Sequence, residues 1–261
     1  MLLAIDIGNS NISLGVFREK ELLMRAKLSA QTERSADEYA AAFYDQLRLG
    51  GIQRGDLMGC ILSSVVPALT ELVESAVTKL TGLPVLRVGP GVKTGFRIRI
   101  DDPSQLGGDL VADTAAALTE YGAPLILIDA GTVTTIAVID SSGTYLGGSI
   151  LPGIRASAAQ FKSATALLPS IALGSGEEGC LGRNSADAMR YGLLLGSAMM
   201  VDGFVERYRV LDNMEGAKVV ATGGSGQLVT ANCRTKVIYD PDLTLKGLQR
   251  LYETNQPRPK K

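Results

Sequence analysis

Apolar residues along the chain fall into short runs separated by polar or glycine-rich turns, and the runs form two similar series. Short runs of branched apolar residues between turn residues predict buried strands, and longer stretches with helical periodicity predict helices. The first series predicts three strands, a helix that begins at a serine cap, a strand, a helix and a strand, at 2–7, 11–17, about 20–27, 35–49, 58–65, 67–81 and 85–88.

The second series opens with a predicted helix from Gln105 to Tyr121. Three strands, two helices, a strand, a glycine-rich loop, a short strand and a helix are then predicted, at 125–129, 133–140, 144–150, about 153–163, 185–208, 218–221, 223–226, 236–239 and 244–254. This mixture of strands and helices predicts an α/β fold.

The two series share a motif as well as an order of strands. The segment Leu-Leu-Ala-Ile-Asp6-Ile-Gly8 corresponds to Leu-Ile-Leu-Ile-Asp129-Ala-Gly131, about half the chain further on. Each segment opens a predicted three-strand meander, so internal duplication is favoured over chance similarity. The sequence therefore predicts two duplicated domains, 1–115 and 116–261, packed face to face with a cleft between them.

Each Asp-x-Gly turn has features of a phosphate-binding loop. Glycine lets the backbone approach an anion closely, and the N–H groups of the turn can point at phosphate oxygens. Hydroxyl and amide side chains add donors: Asn9, Ser10, Asn11 and Ser13 in one turn, and Thr132, Thr134 and Thr135 in the other. One such turn alone is better explained as a plain hairpin, whereas two in corresponding positions favour phosphate binding. Asp6 would repel phosphate unless it held Mg²⁺, directly or through water.

Two further glycine segments leave alternatives open. The loop Thr222-Gly223-Gly224-Ser225-Gly226 follows a predicted strand, and it fits an adenosine contact and a flexible turn equally well. Asp109 follows Gly107-Gly108 near the start of a predicted helix. It could accept a proton from an attacking hydroxyl group, although the segment alone favours a helix-capping aspartate.

Composition narrows the possible chemistry. The chain has no histidine, which excludes Ser-His-Asp hydrolysis, histidine-ligated zinc and imidazole bases. A formal charge of −1 argues against nucleic-acid binding. The three widely spaced cysteines suggest no disulfide framework, and the apolar start is too short for a signal peptide or a membrane span. We therefore expect a cytoplasmic protein.

Taken together, these segments resemble the type III pantothenate kinases of the actin/Hsp70/sugar-kinase superfamily. The matching stretches run in family order along almost the whole chain. They are Asp6-Ile-Gly-Asn-Ser10, Asp102-Pro103 through Gly107-Gly108-Asp109, Ile128-Asp-Ala-Gly-Thr-Val-Thr-Thr135, Gly147-Gly-Ser-Ile-Leu-Pro-Gly153, Gly182-Arg-Asn-Ser185, Ala221-Thr-Gly-Gly224 and Asp242-Leu-Thr-Leu-Lys-Gly-Leu248.

The resemblance implies a homodimer of chains with two RNase H-like domains and a nucleotide cleft. It also implies phosphorylation of pantothenate by ATP, the first step of coenzyme A synthesis, with Mg²⁺ and a monovalent cation, K⁺ or NH₄⁺. Asp109 would be the catalytic proton acceptor, Asp129 a K⁺ ligand and Asp6 the Mg²⁺ ligand. The implied ATP-binding residues are Asp6, Ile7, Gly8, Asn9, Ser10, Asn11, Ile12, Ser13, Thr132, Gly223 and Gly224. Pantothenate would be contacted by Ile100, Gly107, Gly108, Asp109, Leu110 and Ser185.

Two substrate positions depart from the family pattern. Leu110 stands where the family has an arginine, and Ile100 where it has a tyrosine; both residues contact pantothenate in relatives. Arginine can pair bidentately with a carboxylate, whereas leucine cannot. The departures leave three hypotheses: a working pantothenate kinase, which is favoured, a kinase of a related hydroxylated molecule, and a weakened nucleotide-binding paralogue.

Overall fold

A computed structural model describes residues 1–164, 168–174 and 179–257. The chain divides into two compact units. The first contains Met1–Gly95, Asp102–Ala116 and the segment from Leu243 onward, and the second contains Phe96–Asp101 and Ala117–Asp242. The predicted domains, 1–115 and 116–261, differ from these units in two segments, because the last helix groups with the first unit and residues 96–101 with the second.

The described residues form strands and helices numbered in chain order. The strands are β1 (Leu2–Ile7), β2 (Asn11–Arg18), β3 (Glu21–Ser29), β4 (Gly59–Ser64), β5 (Val85–Arg87), β6 (Arg97–Ile98), β7 (Leu125–Ala130), β8 (Val133–Ile139), β9 (Thr144–Pro152), β10 (Lys218–Thr222) and β11 (Val237–Tyr239). The helices are α1 (Ala36–Leu49), α2 (Pro67–Thr81), α3 (Gly108–Tyr121), α4 (Ile154–Ala164), α5 (Ser185–Arg209), α6 (Gly226–Thr230) and α7 (Leu243–Asn255).

The sheet of the first unit has the order β3-β2-β1-β4-β5. Strands β1 to β3 form an antiparallel meander, and β4 and β5 continue from β1 in parallel. Alternate side chains of β1, such as Ile5, join the core with Tyr39 and Phe43 of α1, so one face of the sheet is covered by helices. The opposite face carries Asp6, whose position is half-buried.

Helix α7 covers part of that opposite face through glycine contacts. A Cβ atom at Gly59 would overlap the ring of Tyr252, and a Cβ at Gly15 would lie 3.1 Å from Leu245 Cδ1. Gly247 of α7 packs directly on the backbone of Ala112 in α3. These contacts explain why a helix from the end of the sequence belongs to the first unit.

The sheet of the second unit repeats this topology. Its order is β11-β10-β7-β8-β9-β6, in which β7, β8 and β9 form the meander and β10 and β11 run parallel to β7. The core of this unit includes Ile126, Ile128 and Ile136. The two predicted meanders are therefore confirmed, and the fold class is confirmed as α/β with two similarly wound sheets.

Some local predictions need correction. Helix α3 begins at Gly108 and not at Gln105, because Pro103–Gln105 form a separate 3₁₀ turn capped by the Asp102 side chain. The short elements β6 and α6 were not predicted. The predicted serine cap of α1 is confirmed by reciprocal hydrogen bonds between Ser35 and Glu38. In the part of the chain that the structure describes, no helix combines the length and apolar character needed to cross a membrane.

Candidate active site

The first Asp-x-Gly turn is a tight hairpin between β1 and β2. The Gly8 N–H donates to the Asn11 carbonyl oxygen at 2.9 Å, which closes the turn. Asn9, Ser10 and Asn11 are exposed at its tip. Ile7 and Ile12 can make their predicted ATP contacts only through backbone groups, because both side chains are fully buried in the core.

Asp6 lies at the centre of a polar row across the sheet. Its Cα pairs with Ser13 on β2 and with Ser63 on β4. Cα partners on neighbouring strands project their side chains from the same face of a sheet. The carboxylate therefore has a hydroxyl-bearing residue on each side, and the row lies on the face opposite the core of α1 and α2.

Asp109 occupies the first turn of α3. Its Oδ1 accepts a hydrogen bond from the Leu110 N–H at 2.8 Å, so the predicted helix-end role is present. A Cβ at Gly107 would overlap this carboxylate, and a Cβ at Gly108 would come within 2.9 Å of Ser63 Oγ. Burial raises the pKa of Asp109 above its ordinary value of 3.8, and the N–H groups of Leu110 and of Asp109 itself oppose that shift.

The second hairpin has corresponding geometry. The Gly131 N–H donates to the Val133 carbonyl oxygen at 2.9 Å, and Thr132 is exposed at the tip. Asp129 pairs in register with Thr135 on β8 and with Thr222 on β10, as Asp6 pairs with Ser13 and Ser63. The duplicated motif therefore occupies equivalent positions in the two sheets.

The glycine-rich loop after β10 is held against this second hairpin. Gly223 has φ = 89°, and a Cβ there would overlap Asp129 Oδ1 and lie 2.7 Å from the Ala130 backbone. The Ser225 N–H donates to the Ala130 carbonyl at 2.8 Å, and the Tyr239 hydroxyl donates to the Gly223 carbonyl at 3.1 Å. These contacts hold the loop against β7 and the Tyr239 side chain, and the contact of the loop with adenosine stays a prediction.

The predicted site residues divide between the two units. Asp6 to Ser13 and Gly107 to Leu110 belong to the first. Those in the second are Ile100, Asp129, Thr132, Ser185, Gly223 and Gly224. Leu110 is half-buried beside Asp109, and Ser185 is exposed as the first residue of α5, after the capping residue Asn184. Ile100 is half-buried, and its Cγ2 would lie 3.6 Å from a Cβ at Gly147.

Two residues beside these segments were not predicted. Ser63 lies next to Asp6 and against Gly108, and only the pairing of β1 with β4 reveals this. Gly153 packs on the second hairpin, where a Cβ would overlap the Thr132 carbonyl oxygen and lie 2.6 Å from that of Gly131. The stretch Gly147 to Gly153 signalled a constrained turn, but its contact with the hairpin is a tertiary feature.

Comparison with known proteins identifies the family to which the chain belongs. The sequence profile of the family described as type III pantothenate kinase matches residues 2–207. Type III pantothenate kinases of Rubrobacter xylanophilus and Listeria monocytogenes are 38% and 34% identical; the alignments cover 99% of both chains in the first case and 100% of both in the second. This chain belongs to the type III pantothenate kinase family.

Type III pantothenate kinases phosphorylate pantothenate in coenzyme A biosynthesis, and that is the reaction of this chain. Component A of (R)-2-hydroxyglutaryl-CoA dehydratase from Acidaminococcus fermentans is similar in fold, with a TM-score of 0.59, 13% identity and coverage of 98% of this chain and 99% of that one. That likeness concerns the fold alone, which is of the sugar-kinase and actin-like ATPase type.

A pantothenate kinase needs ATP and a divalent metal ion, and the residues around Asp6 fit Mg²⁺. The donor set there consists of a carboxylate with serine hydroxyl groups on the neighbouring strands, and Mg²⁺ prefers oxygen ligands. Among the described residues, no group of three or more His, Cys, Asp or Glu side chains could hold a metal by itself. In the Mg²⁺ sites of kinases, phosphate oxygens and waters usually complete the coordination.

Proposed function

We propose that the protein transfers the terminal phosphoryl group of ATP to the hydroxyl group of pantothenate, with Asp109 as the proton acceptor. The observation that carries this assignment is a half-buried carboxylate of raised pKa in the first turn of α3, preceded by two glycines whose missing side chains let this turn pack against the carboxylate and Ser63. A base is most effective when its pKa moves toward the working pH, and burial moves that of Asp109 in this direction.

In this proposal, each Asp-x-Gly hairpin contributes residues that bind the nucleotide. Backbone N–H groups and the exposed Asn9, Ser10 and Asn11 side chains of the first hairpin bind phosphate oxygens. Thr132, Gly223 and Gly224 contact the nucleotide in the second unit. Asp6 holds Mg²⁺, directly or through water. When bound, this ion neutralises charge on the phosphates.

Positioning accounts for most of the catalysis in this proposal. Phosphoryl transfer requires the attacking and leaving oxygens to be in line, and it needs little covalent chemistry from the protein. Asp109 accepts a hydrogen bond from the pantothenate hydroxyl, orients it and takes its proton as the new P–O bond forms.

The chain works as a homodimer in the cytoplasm, without nucleic-acid or membrane partners.

The wild-type assay tests this proposal. Purified protein with ATP, Mg²⁺, K⁺ and pantothenate should release ADP at a rate that depends on pantothenate. A rate no higher than that of an Asp109→Asn control would contradict it. If other hydroxylated acceptors react and pantothenate does not, the departures at Leu110 and Ile100 have changed the substrate.

Leu110→Arg is expected to lower the KM for pantothenate about ten- to a hundred-fold, with little change in kcat. The substitution restores a guanidinium group that can pair with the substrate carboxylate, and hydrogen bonds to charged groups contribute about 1.5–3 kcal/mol. Steady-state kinetics of wild type and variant measure the change.

The control for this variant is a substrate analogue in which the carboxylate is reduced to an alcohol. Its KM should be the same for wild type and Leu110→Arg. An equal improvement with both substrates, or none with either, would mean that residue 110 does not face the substrate carboxylate.

Asp129→Asn is expected to raise the K⁺ concentration for half-maximal activity by at least about tenfold. We assign Asp129 as the K⁺ ligand, and loss of a group that supports a bound metal commonly weakens metal binding 10- to 100-fold. The assay is a K⁺ titration at constant ionic strength, with NH₄⁺ titrated in parallel. An unchanged K⁺ dependence would exclude Asp129 as the ligand.

A further inference from the structure

The Ser63 side chain is a buried hydroxyl group for which the fold supplies no hydrogen bond. Ser63 is 0% exposed, and its Oγ has no hydrogen-bond partner in the part of the chain that the structure describes. Buried polar atoms in native proteins nearly always have a partner, because an unsatisfied one is costly to folding. A buried hydroxyl group without a hydrogen-bond partner, next to an active site, therefore suggests that a bound ligand supplies the partner.

The neighbouring serine provides the contrast. Ser64 Oγ donates to the Val66 carbonyl at 3.2 Å, and accepts from the Val66 N–H at 3.1 Å and from the Thr70 hydroxyl at 2.8 Å. Consecutive strand residues point to opposite faces, so Ser64 and Ser63 project from opposite sides of β4. The hydroxyl group of Ser64 is therefore fully hydrogen-bonded within the protein, and that of Ser63 is not.

The surroundings of Ser63 indicate what its partner is. In the sheet it pairs in register with Asp6, the proposed Mg²⁺ ligand. Above the sheet, the first turn of α3 packs closely on this hydroxyl group, which is possible because residue 108 is glycine: a Cβ there would lie 2.9 Å from Ser63 Oγ and 3.3 Å from Val88 Cγ1. Asp109, the proposed base, is the next residue along α3.

We propose that the Ser63 hydroxyl donates a hydrogen bond to an oxygen of the phosphoryl group that is transferred. This inference rests on the proposed assignment of Asp6 to the nucleotide side and of Asp109 to the acceptor side. In an in-line transfer the phosphoryl group passes between those two sides, and its oxygens carry negative charge throughout. A serine between two carboxylates, with its own proton uncommitted, is suited to that position.

Gly108 has a defined part in this arrangement. Any side chain at residue 108 would approach the Ser63 hydroxyl and Val88 too closely, so the glycine lets the first turn of α3, which carries Asp109, lie against the hydroxyl group. Gly108 therefore brings the proposed base close to the serine that would bind the phosphoryl group.

Ser63→Ala tests the proposal against Ser64→Ala as the matched control. Ser63→Ala should unfold thermally at the same temperature as wild type or a higher one, because it removes an unsatisfied buried hydroxyl. Its kcat/KM for Mg·ATP should fall about ten- to a hundred-fold, the loss expected for a hydrogen bond to a charged group. Ser64→Ala should unfold at a lower temperature and keep a kcat/KM within about threefold of wild type, because its bonds are structural.

Nucleotide binding separates this proposal from the function on which it rests. Calorimetric titration without acceptor should show that Ser63→Ala weakens Mg·ATP about tenfold or more and leaves Mg·ADP unchanged, since ADP lacks the transferred group. That result is independent of which acceptor the enzyme uses. Equal effects on ATP and ADP, or none on either, would overturn the proposal, as would an unchanged kcat/KM for Mg·ATP.

Discussion

Asp109→Asn is expected to lower kcat about 10²- to 10⁴-fold, the range that general base catalysis usually contributes. Asparagine has nearly the same shape as aspartate and can still accept the 2.8 Å hydrogen bond from the Leu110 N–H, so α3 should keep its first turn. It cannot take a proton from the pantothenate hydroxyl. Steady-state assays at saturating ATP and pantothenate measure the loss.

The stability of the same variant gives an independent check, because the raised pKa has a defined sign. A carboxyl group whose pKa is higher in the folded state stabilises the fold only while it is protonated, and that stability is lost as pH rises through the folded pKa. Above the folded pKa, wild type therefore carries the cost of ionising a half-buried carboxylate. Asp109→Asn lacks this cost and should be at least as stable.

Urea unfolding across a pH series measures this difference. The advantage of Asp109→Asn should be largest near neutral pH and should disappear as pH falls below 3.8, the ordinary pKa of an aspartate, because the carboxyl group is then protonated in both states. The acid limb of the wild-type activity profile should lie above that pH for the same reason. A kcat within tenfold of wild type would leave Asp109 with only a helix-end role.

Local sequence patterns predicted those parts of the fold and of the site that depend on residues close together in the sequence. The Ser35 cap depends on Glu38, three residues away, and each hairpin depends on an Asp-x-Gly turn between apolar runs. Such features are encoded within a few positions, so they could be inferred without coordinates. The register of Asp6 with Ser13 follows from the same hairpin.

Features that depend on distant residues could not be predicted in this way. Ser63 lies beside Asp6 because β4 pairs in parallel with β1, and no local pattern specifies that partner. Helix α7 joins the first unit through Gly247 and Ala112, which are far apart in the sequence. Strand β6 has only Arg97 and Ile98, too few residues to show a periodicity.

The glycine loop was ambiguous for the same reason. From the sequence, Gly223 and Gly224 fitted a flexible turn as well as a nucleotide contact. Gly223 packs closely on Asp129, which comes from another strand of the second sheet, and the local pattern carried no sign of this tertiary contact.

Gly223→Ala is expected to destabilise the protein by about 2–5 kcal/mol and to disable nucleotide binding. A positive φ costs an L-residue about 1–2 kcal/mol, and overpacking a close contact costs about 1–3 kcal/mol. The added methyl group would overlap Asp129 Oδ1 and press on the Ala130 backbone, so both the carboxylate and the second hairpin must move. Because Asp129 is the proposed K⁺ ligand and Thr132 a proposed ATP contact, Mg·ATP affinity should fall together with stability.

Gly55→Ala is the matched control, because a Cβ at Gly55 meets no atom within 4 Å and its φ is not positive. It should change stability by less than about 1 kcal/mol and leave Mg·ATP affinity unchanged. Chemical unfolding and calorimetric titration compare the two variants at a temperature where both are folded. If Gly223→Ala bound Mg·ATP as wild type does, the glycine loop and the Asp129 hairpin would have to be structural neighbours without a part in the nucleotide site.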